Sequence, residues 1–223
     1  MKYKNIVFDF GNVIGRFDGK AILSEFCPYE EELDHLSEIV YKRWAELDAG
    51  TLNYDSYINE VIDQVPEHLK DCIRRFAKEW PRCTTLLPDT ITFIHELKER
   101  NIPIYLLSNA PTYFAEYYEG SELLSHFDGI LFSGPIRLAK PSPEIYSHFY
   151  KEHPEIELIY STGTLAEIEQ ALLEEQIDFG LAALPRIGQD TLSTLRPSIA
   201  FVPLKQLRFS VYVHQDSPLA QYK

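Results

Sequence analysis

Three short apolar runs constrain this chain more than any other feature. Residues 5–10 (NIVFDF), 102–107 (IPIYLL) and 129–133 (GILFS) are rich in branched and aromatic side chains, and each ends at small or turn-forming residues. Between and after them the pattern is helical. It predicts helices over 31–47 (EELDHLSEIVYKRWAEL), 53–65 (NYDSYINEVIDQV) and 90–101 (TITFIHELKERN, behind Pro88-Asp89), then through Tyr113 to Tyr118 and over 144–153 (EIYSHFYKEH). Strands that alternate with helices pack as a parallel sheet with right-handed crossovers. The expected fold is therefore α/β, a Rossmann-like parallel sheet. The all-helical stretch between its first two strands is an inserted domain.

Ligands of such open sheets bind outside the carboxyl ends of the strands. Here those ends carry Asp9, Ser108 and, a few residues past the third, Lys140. That set suits phosphoryl transfer. A carboxylate attacks in line and forms an aspartyl-phosphate that water later cleaves. Asp9 is the candidate nucleophile, and Gly11 lets backbone approach a phosphate or a metal. Ser108 offers a hydroxyl to a non-bridging oxygen, helped by amides of the loop that follows, and Lys140 offsets the charge that gathers there. Taken singly, each has a plainer reading: Asp9 as a turn residue, Ser108 as a helix cap and Lys140 as a solvated loop charge. Their order, each behind its own strand, favours the joint functional reading.

Asp9 in FDFGNVI, Ser108 in LLSNA and Lys140 in AKPSPEIY resemble the first three motifs of the haloacid dehalogenase (HAD)-like hydrolases, over residues 1–154. The resemblance implies a core of residues 1–15 and 87–155 with a helical cap at 16–86. It also implies a Mg²⁺-dependent phosphatase acting on a small phosphorylated metabolite. ELDAGTLNYDSY looks like cap sequence of the subgroup whose first motif reads D-x-G-N, which includes phosphatases of sugar phosphates. By this likeness Ser108, Asn109, Gly11 and Asn12 surround the phosphate, while Asp9 and Gly11 contribute to the metal. Many family members carry a second aspartate, as general acid, where this chain has Gly11. Asp18 is close enough in sequence to substitute for it or to contact the closing cap, and equally reads as a turn residue before Gly19.

A fourth motif should follow the strand IELIY (156–160) with acidic metal ligands, but the chain continues Ser161-Thr162-Gly163-Thr164. Glu167 and Glu169 fall inside the next predicted helix, and Asp178 opens the next strand. Because Mg²⁺ is usually held by one or two carboxylates with substrate phosphate, the site is expected to be weak or incomplete. From 156 onward the text instead resembles the effector-binding domain of LysR-type regulators: IELIYSTGTLAEIEQALLEEQIDFGLAALP, then IAFVPLKQLRFSVYVHQDSPLA. The expectation is a chimera in which residues 156–223 bring a βαβ unit that takes the place of the last unit of the core sheet. The Thr-Gly-Thr loop either caps the following helix or binds a carboxylate through its amides.

Charge excludes two partner classes. The chain carries 34 acidic residues against 21 Lys and Arg, a net −13, without the basic footprint of a nucleic-acid binder or a protein docked on an anionic membrane. Cys27, Cys72 and Cys83 form neither metal spacing nor a disulfide framework, and the seven histidines are scattered. With no signal peptide and no long apolar span, a cytoplasmic location is expected, while oligomeric state stays open. Two other readings compete with the phosphatase: a non-catalytic effector-binding module, and a haloacid dehalogenase, which also attacks through an aspartate but needs no metal.

Overall fold

The computed structural model describes residues 5–156, 164–174 and 176. The chain divides into two compact units, Met1–Glu157 and Leu158–Lys223.

In the first unit a parallel sheet runs in the order β1-β4-β5, with β1 Ile6–Phe8, β4 Ile104–Ser108 and β5 Gly129–Phe132. Phe8 pairs with Leu106 and Ser108 with Phe132, so the strand ends lie almost level. Every residue of β4 is buried. Its side chains alternate between two cores: Ile104 and Leu106 join the larger one, Tyr105 and Leu107 a smaller one with Leu131, Ile145 and Phe149. A strand buried on both faces reads as a continuous apolar run, which is why IPIYLL is visible in the sequence. Pro103 lies before this strand, and its carbonyl accepts from Ile6 N at 3.1 Å, so pairing starts at Ile104 and Ser108 becomes the last strand residue.

A short antiparallel ribbon, β2 Gly15–Arg16 with β3 Thr85–Leu86, closes the base of the helical insert. Between these strands lie α1 Gly19–Ser24, α2 Leu33–Tyr41, α3 Trp44–Asp48, α4 Tyr54–Gln64 and α5 Glu67–Glu79. Helix α5 buries Leu69, Cys72, Ile73, Phe76 and Ala77, a stripe at three- and four-residue spacing that faces the larger core. Helix α4 starts where Asn53 Oδ1 accepts from Ser56 N at 2.9 Å.

The single helix expected at 31–47 is broken: a 3₁₀ turn at Glu30–Glu32 leads into α2, and α3 starts afresh at Trp44. The cause is Tyr57 on α4. Its hydroxyl donates to the carbonyl of Ile39 at 3.0 Å or of Val40 at 3.1 Å, and accepts from Arg43 N at 3.3 Å. It stands in for the helical partners at that point, and the chain turns.

After the insert come α6 Pro88–Glu99, α7 Thr112–Tyr118, α8 Ser133–Ile136 and α9 Pro143–Glu152. Pro88 and Pro143 open their helices, where a missing N–H costs nothing. Ser133, expected to end the third strand, instead begins α8 and is fully buried. Its hydroxyl donates to the Asp48 carbonyl and accepts from Ala110 N at 2.9 Å, joining insert to core.

At that seam Gly50 has φ +65°, and a Cβ there would lie 2.1 Å from the Gly134 carbonyl oxygen. Left-handed backbone and backbone contact both demand glycine. Gly50→Ala should cost about 2–4 kcal/mol in urea denaturation, from strain plus displaced contacts; a loss under 0.5 kcal/mol would show that the seam yields.

In the second unit α10 Leu165–Leu173 begins with a capping box. Thr164 Oγ1 accepts from Glu167 N at 3.4 Å, while Glu167 Oε2 accepts from Thr164 N at 2.7 Å. Thr164, the last residue of the Thr-Gly-Thr loop, thus caps this helix, while Thr162 and Gly163 lie outside the described residues. Ser161, the strand expected at 156–160 apart from Ile156, the strand expected from Asp178, and the stretch from 199 onward lie outside them too.

Candidate active site

The level strand ends bring the three predicted groups together. Lys140 Nζ lies 2.9 Å from Asp9 Oδ2 and donates to the Leu107 carbonyl at 3.0 Å. The other carboxylate oxygen, Asp9 Oδ1, accepts from Phe10 N at 2.8 Å, which fixes the rotation of the group. Ser108 is 1% exposed, and its Oγ accepts weakly from the same amide at 3.3 Å. Thus one carboxylate, one ammonium and one hydroxyl converge at a single sheet edge, with the Asp9 side chain still 42% open to an incoming ligand.

Asn109 holds the loop that carries Lys140. Its Nδ2 donates to the Lys140 carbonyl and its Oδ1 accepts from Lys140 N, both at 2.8 Å. This two-bond clamp ties the loop before α9 to the end of β4 and places the lysine. Asn12 has φ 58°, and its Oδ1 accepts from Phe17 N at 3.1 Å, holding the turn after β1. Asp18 Oδ1 accepts from Ala21 N at 3.1 Å and caps α1. Gly11 lines the cavity described next, and a Cβ built on it would meet nothing within 4 Å. The space left by the missing second acid is open.

Sequence reasoning missed the cavity beside this edge. It encloses about 140 Å³ between the loops 10–12 and 108–111 on one side and Phe17, Trp44, Asp48, Trp80, Thr84 and Phe114 on the other. Trp80 stacks on Phe114 at 5.3 Å and 19°, and Trp44 meets Trp80 edge-on at 5.1 Å. Asp48 stands in this aromatic wall. Burial, and secondarily the charge of Asp9, push its carboxyl up to about 7. In the sequence Asp48 stands in WAELDAG, two residues before Gly50, with nothing local to aim it into a cavity.

Donor chemistry can be tested against Mg²⁺. The Asp9 carboxylate and the Gly11 carbonyl are hard oxygen donors of the right kind. No cluster of three or more His, Cys, Asp or Glu side chains suited to a metal occurs among the described residues. No helix among them is long and apolar enough to cross a membrane.

Against this geometry, residues 3–154 match the haloacid dehalogenase-like hydrolase family. The chain belongs to that family. Residues 139–223 match the LysR substrate binding domain, overlapping the first match through 154. A phosphoserine phosphatase of Thermus thermophilus is 30% identical over 148 residues, covering 61% of this chain and 59% of that protein. The chain thus spans less than two thirds of that relative. Among solved structures, one similar chain is described as a dehalogenase, with TM-score 0.53, 16% identity, and coverage of 70% of this chain and 73% of the other. Another is a HAD family enzyme variant from Bacteroides thetaiotaomicron, in complex with magnesium and inorganic phosphate (TM-score 0.51, 17% identity, 68% and 78% covered). At these identities the structural likeness establishes the fold.

Proposed function

We propose that this chain is a Mg²⁺-dependent phosphatase of a small phosphorylated metabolite, of the sugar-phosphate class and the D-x-G-N subgroup, working in the cytoplasm. The observation that carries the reading is the 2.9 Å approach of Lys140 to Asp9 at the level strand ends. Asp9 attacks phosphorus through a carboxylate oxygen, the P–O bond to the alcohol breaks, and water then cleaves the aspartyl-phosphate to restore the carboxylate. Lys140 neutralises charge on the carboxylate and the transferring group, and Ser108 donates to a non-bridging oxygen. Asn109 keeps Lys140 in place. Asp9 and the Gly11 carbonyl would hold Mg²⁺, which supplies charge neutralisation to the phosphoryl oxygens. With Gly11 in place of a second aspartate, esters with good leaving groups are favoured.

The match of residues 139–223 supports a second role, effector binding by a segment joined to the hydrolase in a chimeric chain. Phosphate release from p-nitrophenyl phosphate, with added Mg²⁺ and with a chelator, separates the two. Turnover is expected, lost in chelator, and saturating only at Mg²⁺ concentrations about tenfold or more above those of a phosphatase with a complete acidic fourth motif. No release under any condition would leave the binding role standing and remove the phosphatase. Unchanged turnover in chelator would remove the metal.

A further inference from the structure

Two polar groups in the aromatic cavity have no use in the chemistry at Asp9. Thr84 is 8% exposed, lines the cavity, and its Oγ1 is a buried side-chain oxygen without a hydrogen-bond partner among the described residues. Its methyl group is turned toward Gly15, where a Cβ would come within 2.7 Å of Thr84 Cγ2. Asp48 lines the same cavity. No hydrogen bond to its carboxylate is formed among the described residues, although its backbone carbonyl is held by Ser133. Burying a hydroxyl without a partner costs about 1–3 kcal/mol, so the Thr84 hydroxyl in a native cavity points to a ligand that satisfies it, and the half-buried carboxyl of Asp48 lines the same cavity.

We propose that Asp48 and Thr84 form a subsite that receives a hydroxyl of the substrate's alcohol portion. The preferred substrate is then the phosphate monoester of a small neutral polyol. This rests on the phosphatase reading and narrows it. A carboxylate accepts from a hydroxyl, and the threonine hydroxyl both donates and accepts, so the pair matches a polyol edge. Trp44 and Trp80 give the flat apolar walls that carbon-bound hydrogens of a polyol pack against. Size sets an upper limit, because about 140 Å³ is well below the roughly 300–1,000 Å³ of pockets for drug-sized ligands. Charge sets another. No lysine or arginine lines the cavity, so a substrate carboxylate would meet Asp48 with no cation to receive it. Phosphoserine, the substrate named for the Thermus relative, places its ammonium at Asp48 only by bringing in a carboxylate for which the lining offers no cation.

The test compares kcat/KM for glycerol 3-phosphate, for propyl phosphate, which lacks the hydroxyls, and for phosphoserine, with p-nitrophenyl phosphate as a gauge of the underlying hydrolysis. Glycerol 3-phosphate should exceed propyl phosphate by about 10- to 100-fold, the range of a hydrogen bond to a charged group, and should exceed phosphoserine by at least as much. Thr84→Val keeps the shape and removes only an unpartnered hydroxyl, so the variant should fold; in it, and in Asp48→Asn, the glycerol-to-propyl ratio should fall several-fold. Turnover of p-nitrophenyl phosphate with a ratio near one, or with phosphoserine preferred, overturns the subsite and leaves the phosphatase intact. If p-nitrophenyl phosphate is not hydrolysed either, the phosphatase reading has failed and the subsite falls with it.

Discussion

Asp9→Asn should abolish hydrolysis, lowering kcat by at least about 10⁴-fold, because losing a covalent nucleophile removes the whole route and not one contact within it. The fold should survive. The Asp9–Lys140 pair is partly solvated, with side chains 42% and 22% exposed, and ion pairs of that kind contribute about 0–1 kcal/mol. The amide is isosteric and still offers an oxygen to Phe10 N. Thermal melts of parent and variant should therefore agree within a few degrees while turnover disappears. A variant that works at close to the parental rate would show that Asp9 is not the nucleophile.

Asp48→Asn should have the opposite sign in stability. The Asp48 carboxyl is raised from 3.8 to about 7, chiefly by burial. A folded state with the higher pKa binds more protons than the unfolded one, so stability is fully present below about pH 4 and declines as pH rises through about 7. The asparagine variant does not ionise and escapes that decline. In chelator, urea denaturation at pH 8 should find it more stable than the parent by about 2–4 kcal/mol, with little difference near pH 4. Equal stabilities at pH 8 would mean that the carboxylate is better solvated than its surroundings imply. A residue that weakens the free protein and improves substrate selection is the usual mark of a functional group.

How far the sequence discloses this site depends on whether each residue's role is local. Asp9, Ser108 and Lys140 follow three apolar runs, and level strand ends in a parallel sheet are bound to bring such positions together. The insert between the first two core strands was legible for the same reason, as a change of period from strand to helix. Asp48 was hidden because 31–47 reads as one unbroken amphipathic helix and Asp48 falls just beyond its end. A distant hydroxyl, that of Tyr57, breaks the helix at Arg43 and re-aims the turn carrying Asp48 into the cavity. Nothing within the local text encodes that. The backbone partners of Asn109, Asn12 and Asp18 were not legible from the motif alone: the Lys140 loop, the turn after β1, and the first turn of α1. Thr84 carries no sequence signal. A threonine before a short strand is ordinary, and only its burial without a partner marks it.

The central claim, covalent catalysis through Asp9, is tested most directly by acid-quenching the protein during turnover of p-nitrophenyl phosphate in Mg²⁺ and locating phosphate on its peptides by mass spectrometry. The prediction is a phosphorylated peptide containing Asp9, acid-stable and lost on treatment with hydroxylamine, that forms within the first turnover. Turnover with no phosphate on Asp9 at any quench time, or with phosphate on a different residue, would contradict it.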